Sequence, residues 1–110
     1  MQKYALNKDS IAKEIAPGVL HKVLSYSPTL MVCEVSFEKD SQAALHSHVH
    51  EQSAYVASGV FEFTIGDEKK ILHAGDSAYM QPNIEHCAKC IEKGVLVDIF
   101  NPYREDFLNR

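Results

Sequence analysis

Hydrophobic and polar residues alternate with a period of two along much of this chain. In Leu30–Glu38 ("LMVCEVSFE") apolar side chains occupy every second position, with mostly polar ones between them near its end. Successive side chains of a β-strand point to opposite faces, so this pattern predicts a strand with one buried face. We expect that face to carry Met31, Cys33, Val35 and Phe37.

Turn residues divide the following sequence into further short strands. Gly66-Asp67 is a hairpin signal, while Gly59 and Lys93-Gly94 each separate two apolar segments. Short strands at intervals of about eight to twelve residues are typical of an all-β sandwich or barrel. The predicted strands are SAYVAS, VFEFTI, EKKILH, SAYMQ, EHCAKCIE and GVLVDIF.

The two ends of the chain lack this alternation. Residues 1–17 carry polar residues every few positions, and a short helical turn is predicted around Ser10–Ile15, with Asp9 or Ser10 as its cap. The tail, residues 102–110, is long enough only for a turn or a docking segment. We therefore expect one domain over 1–110, with its barrel at roughly 18–101.

Composition excludes several classes of protein. The 110 residues carry a formal net charge of −4 without a basic patch, which argues against nucleic acid as a partner. There is no apolar run of the length that a signal peptide or a membrane span needs, so we expect a cytoplasmic protein without a membrane partner. Three cysteines are an odd number, and no disulfide framework is expected.

Histidines provide the first candidate chemistry. His46, His48 and His50 occupy alternate positions, Gln52 shares their parity, and His86 follows a distant turn. Imidazole is the commonest metal ligand, but a histidine-rich strand can also be a solvated face. Cysteine ligation of zinc by Cys87 and Cys90 is disfavoured, because alternation places Cys87 opposite His86 and structural zinc needs four well-placed ligands.

Asp98 provides the second candidate for chemistry. It shares a strand face with Leu96 and Phe100, and an aspartate in an apolar strand is costly to bury unless it is paired or used. Two interpretations follow. The carboxylate is either a structural anion satisfied by a neighbour such as Arg104, or it points into a barrel where a raised pKa suits proton transfer.

Two stretches, His46 to Gly59 and Gly75 to His86, resemble the two sequence motifs of the cupin superfamily. The resemblance implies a single-domain jelly-roll barrel (a double-stranded β-helix) that holds one divalent ion, such as Ni, Zn, Mn or Fe. Gln52 stands where the usual motif has Glu, which leaves more net positive charge on the metal for an anionic ligand. By position, the implied metal ligands are His46, His48, Gln52 and His86.

The segments Pro82–His86 and Asp98–Leu108 narrow the resemblance to small cupins of the pectin-degradation (KdgF) type. That resemblance implies an enzyme that converts 4,5-unsaturated uronates to linear 4-deoxy-5-keto uronates. It also implies catalytic roles for Asp98 and Arg104, and an anionic sugar substrate bound by Phe100 and Arg104. Tyr55 is a further candidate for packing on the sugar ring, although the sequence favours a core position for it.

Two alternatives stay open at this point. The four implied ligands also suit another metal-dependent cupin enzyme, an iron-dependent dioxygenase or a sugar isomerase. A non-catalytic sugar-binding cupin is the third hypothesis. By resemblance, and because edge strands need covering, we expect a homodimer. His50 is expected in a supporting or surface position rather than on the metal.

Overall fold

The computed structural model describes residues 2–110 and is built almost entirely from antiparallel strands. These strands form one sheet with the order β1-β2-β3-β7-β4-β5, and β6 pairs with β4. The prediction of an all-β fold is confirmed. The elements are β1 Lys13–Ala16, β2 Val19–Ser27, β3 Leu30–Phe37, β4 Glu51–Ile65, β5 Glu68–His73, β6 Ser77–Met80, β7 His86–Asn101 and the helical turn α1 Glu105–Leu108.

Strand β3 shows how the period of two selects the core. Its burial alternates along its whole length, and the four predicted inward residues, Met31, Cys33, Val35 and Phe37, are each at most 3% exposed. The neighbouring strand β7 places Leu96 and Phe100 in the same interior. The larger apolar cluster inside the barrel comprises Val19, Val35, Phe37, Ala54, Val56, Phe61, Phe63, Leu72, Met80, Ala88, Cys90 and Leu96.

Two long strands replace four shorter ones that the sequence predicted. Gly59 does not end a strand but lies inside β4, and Gly94 lies inside β7. The two glycines bring the backbones together, since a Cβ on Gly94 would lie 2.1 Å from the Ser58 carbonyl oxygen. The pairing register shifts three times between Val56 and Phe61. Glycine and bulges of this kind bend paired strands without separating them, which lets the sheet curl around its core.

The N-terminal segment also departs from expectation. Residues Asn7–Asp9 form a single 3₁₀ turn, and the predicted helical turn at Ser10–Ile15 is wrong because Lys13–Ala16 pairs with β2. The Ser10 hydroxyl, expected as a helix cap, instead donates to the Val23 carbonyl at 2.9 Å. Pairing with an available strand edge overrides the weak helical preference of this short segment.

The tail, residues 102–110, docks on the barrel as a short helix. Its side chains Tyr103, Phe107 and Leu108 pack against a second, smaller cluster formed by Met31, Cys33 and Phe100. This contact places the tail beside the end of the barrel that holds the predicted histidines. No helix within residues 2–110 is long and apolar enough to cross a membrane.

Candidate metal centre and its cavity

The structure brings together three of the predicted ligands, although 40 residues of sequence separate His46 from His86. Main-chain bonds connect them in both directions, from His46 N to His86 O at 3.0 Å and from His86 N to His46 O at 2.9 Å. The ring of His48 lies 4.9 Å from that of His86. One ligand atom from each of the three residues lies within 4.8 Å of the others, and within residues 2–110 this is the group suited to hold a metal ion.

Each of these imidazoles is oriented by a backbone carbonyl two residues away. The Nδ1 atoms lie 2.7 to 2.9 Å from the carbonyl oxygens of Ala44, His50 and Ile84 respectively. A carbonyl oxygen only accepts, so each Nδ1 carries the proton and each Nε2 presents its lone pair. A histidine that ligates a metal through Nε2 needs this tautomer. Its Nδ1–H is held by a hydrogen bond, as it is in most metal sites. His50, expected in a supporting position, contributes its carbonyl to His48.

The Nε2 atom of His86 is buried and has no hydrogen-bond partner. An unpaired buried polar atom is costly, and a bound cation would satisfy its lone pair. Burial lowers the pKa of His86 to about 4 and also lowers the pKa of His48. Both imidazoles are therefore neutral near pH 7, which is the form that binds metal.

Gln52, the fourth predicted ligand, fits the same centre. Its side chain is buried, and its Oε1 lies 3.0 Å from Nε2 of His48. With the His48 proton on Nδ1, these two atoms face each other as acceptors. A cation held by both atoms would remove this unfavourable contact between two acceptors. Gln52 would therefore hold a divalent ion together with the three imidazoles.

Asp98 lies on the inward face of β7, as its alternation with Leu96 and Phe100 predicts. It retains some exposure as a whole residue, yet its Oδ1 atom is buried without a hydrogen-bond partner. Burial raises the pKa of Asp98 to about 6, opposed by hydrogen bonding from Gln52 and by the charge of Arg104. The carboxyl group can therefore gain and lose a proton close to neutral pH.

The ion pair of Arg104 is not with Asp98, the partner that one interpretation of the sequence offered. Arg104 forms its ion pair with Asp106, donating from Nε and Nη2 at 3.1 and 3.0 Å. Its guanidinium lies over Phe107 at 4.2 Å and over Phe100 at 5.3 Å. Asp106, two positions further along the tail, accepts both hydrogen bonds in a bidentate arrangement. The carboxylate of Asp98, on strand β7, does not.

A cavity of about 90 Å³ is lined by His46, Gln52, His86, Asp98 and Arg104. Its walls are largely apolar, and the ring of Phe100 lies 5.7 Å from that of His48. A larger groove of about 460 Å³ lies elsewhere, between Gly18 and Gly94, and no histidine lines it. The polar and titratable residues that line the smaller cavity are His21, His46, Gln52, His86, Cys87, Asp98 and Arg104.

Two features of the site differ from the sequence interpretation. Tyr55 is 46% exposed and lies on the opposite face of β4 from the buried Gln52, so the structure does not bring it to the cavity. His21, which sequence reasoning missed, is 2% exposed and lines the cavity. The signal was present, because His21 shares strand parity with the buried Val19.

Comparison with known proteins agrees with this geometry. The cupin domain family model matches residues 33–100. The pectin degradation protein KdgF of Dickeya dadantii (strain 3937) is 38% identical over 110 residues, which covers 98% of this chain and all of that protein.

Solved structures give the same result. An RmlC-like cupin from Shewanella frigidimarina superimposes with a TM-score of 0.92 at 32% identity, covering 97% of this chain and 96% of that one. KdgF from a Halomonas species superimposes with a TM-score of 0.91 at 28% identity, covering 97% and 99%. The predicted cupin fold is confirmed, and the chain belongs to the cupin family as a KdgF-like member.

Proposed function

We propose that this protein is a metal-dependent enzyme that converts 4,5-unsaturated uronates to linear 4-deoxy-5-keto uronates. The observation that carries the proposal is the position of Asp98, whose Oδ1 atom has no hydrogen-bond partner and which lines the same cavity as His46 and His86 of the three-imidazole group. The similarity to proteins named for pectin degradation supports the substrate class.

His46, His48, Gln52 and His86 would hold the ion. Bound there, a divalent ion supplies Lewis acidity toward an oxygen of the substrate. The neutral donor set leaves the net charge of the ion uncompensated, which favours an anionic ligand. A uronate carboxylate is such a ligand.

Asp98 is the proton-transfer group in this proposal. With a pKa of about 6 it is largely deprotonated at pH 7, so it accepts a proton from water or an enol and returns it to carbon as the enol becomes a ketone. A residue that performs this step contributes typically about 10²- to 10⁴-fold to the rate. Asp98→Asn keeps the size of the side chain and removes its basicity.

Arg104 and Phe100 bind and orient the sugar. Asp106 occupies Nε and Nη2 of the guanidinium, which leaves the Nη1 donors for the substrate carboxylate. Phe100 presents an apolar surface beside His48, and a sugar ring packs on such a surface. Apolar walls, including Met80 and Leu96, exclude water from the reacting atoms.

The test follows the unsaturated monomer directly. A lyase and an unsaturated-oligouronide hydrolase release it from polygalacturonate, and NMR measures its disappearance with and without this protein. We expect acceleration that is lost after chelation and falls by about 10²-fold or more in Asp98→Asn. Asp67→Asn, in the exposed turn after β4, controls for the loss of a carboxylate.

Absence of acceleration by a protein with bound metal would refute this substrate. Oxygen consumption by the iron-loaded protein is then the next measurement. If Asp98→Asn is as active as the unaltered protein, the proposed substrate is retained and Asp98 has no role in the reaction.

A further inference from the structure

His21 and Arg110 form a contact that the proposed reaction does not use. The Arg110 Nη2 atom lies 2.7 Å from Nδ1 of His21, 89 residues away in sequence, and 3.4 Å from its carbonyl oxygen. Arginine only donates, so Nδ1 of His21 is an acceptor and the ring proton is on Nε2. This is the opposite tautomer from the three imidazoles of the metal centre, and it excludes His21 from a role of the same kind.

The imidazole of His21 stays neutral for this contact. It is 2% exposed, and burial together with the charge of Arg110 lowers its pKa to about 4. Burial of an imidazole among apolar residues is costly unless its polar atoms are satisfied, and Arg110 satisfies Nδ1. The contact is therefore intact across the neutral pH range.

Phe107 connects this contact to Arg104. The edge of the His21 ring meets Phe107 with 4.5 Å between centroids. The Arg110 guanidinium lies 5.1 Å from the Phe107 ring, and the Arg104 guanidinium lies 4.2 Å from it. Asp106, next to Phe107, holds Arg104 by two hydrogen bonds. Two of the groups that contact Arg104, Asp106 and Phe107, are thus on the tail, residues 102–110, and the third, Phe100, is on β7.

We propose that His21 and Arg110 form a clasp that holds the tail on the barrel and so positions Arg104 at the cavity. His21 and Arg110 are positioning residues here, because they act through Phe107 and Asp106. The ligand part of this inference rests on the proposed function, in which Arg104 binds the uronate carboxylate. The clasp itself does not depend on that function.

Loss of the clasp has a specific expected effect. Arg110 is exposed, so Arg110→Gln removes the contact with little risk to folding. Arg104 then loses its fixed position, and affinity for a carboxylate falls, whereas contacts to the neutral part of the sugar persist. We expect galacturonate to bind about tenfold more weakly, the cost of weakening one hydrogen bond to a charged group. Galactose, which lacks the carboxylate, should bind equally well to both proteins.

The experiment uses the metal-loaded full chain and two measurements. NMR titration gives the affinities for galacturonate and galactose, and the KM and kcat for the unsaturated uronate show whether KM alone changes. Independently of any ligand, the Nε–H resonance of Arg104 reports its position through the ring current of Phe107 and its exchange with water. His21→Gln is the second clasp variant, and Lys93→Gln, which removes an exposed cation, is the matched control.

The outcomes separate the clasp from the proposed function. Faster exchange and a shifted Arg104 resonance in both clasp variants, with a selective loss of galacturonate affinity, support the inference. An unchanged Arg104 resonance in Arg110→Gln overturns it, as does an equal loss for galactose. If the unaltered protein fails to bind or convert any uronate, the proposed function fails, and the Arg104 resonance alone decides the clasp.

Discussion

The buried carboxyl of Asp98 should make the metal-free protein less stable at neutral pH than it would be without that charge. Burial raises the pKa of this group from 3.8 to about 6. Between these values the folded chain keeps a proton that the unfolded chain has released, so stability falls as pH rises from about 4 to 6 and then levels off. A pKa difference of one corresponds to about 1.4 kcal/mol, so the full cost above pH 6 is about 3 kcal/mol.

Asp98→Asn removes the titration while it preserves the shape of the side chain. Relative to the unaltered protein, we expect the variant to gain up to about 3 kcal/mol in unfolding free energy between pH 4 and pH 8. The stability of the variant relative to the unaltered protein should thus be highest at pH 8, where its activity should be lower by about 10²-fold or more. A residue that costs stability and is needed for the reaction is an ordinary feature of active sites.

Urea unfolding in the presence of a chelator, at pH values from 4 to 8, measures this difference. The chelator is needed because a bound cation would stabilise the Asp98 carboxylate. Both proteins contain the same histidines, so the contributions of these residues to the pH dependence cancel in the comparison. Asp67→Asn is the matched control. The free energy of unfolding should differ between Asp98→Asn and the unaltered protein by an amount that changes with pH. If this difference is constant from pH 4 to pH 8, the assignment of a buried carboxyl with a raised pKa is refuted.

Three further predictions concern the metal centre and the bend of the barrel. Protein prepared without a histidine tag should contain about one divalent ion per chain by mass spectrometry. His46→Ala should lose that ion. Equal metal content in this variant and in the unaltered protein would contradict the assignment of the site. Gln52→Glu adds a negative charge to the ligands and should raise the affinity for Mn²⁺ in calorimetry, whereas an unchanged affinity would show that residue 52 does not ligate. In urea unfolding, Gly94→Ala should cost about 3 kcal/mol or more because its Cβ meets a backbone oxygen. Gly75→Ala, at φ +95° in open space, should cost only about 1–2 kcal/mol, and equal costs for the two would contradict this account of the bend.

The sequence by itself determined which faces of the strands are buried. Alternation in β3 identified all four inward residues, and the same parity placed Asp98 inside the barrel. The spacing of His46 and His48 identified two imidazoles that the structure brings to His86. These features are local, because the period of a strand fixes the direction of each side chain relative to its neighbours.

Only the tertiary structure decided which distant groups meet. Alternation gives no information on whether a glycine ends a strand or bends it, and Gly59 bends β4 because Gly94 of β7 lies against it. The sequence likewise did not distinguish Asp98 from Asp106 as the partner of Arg104, since the choice depends on how the tail docks. His21 joined the site for the same reason. Its contact with Arg110 exists only after the sheet has closed and the tail has packed across its end.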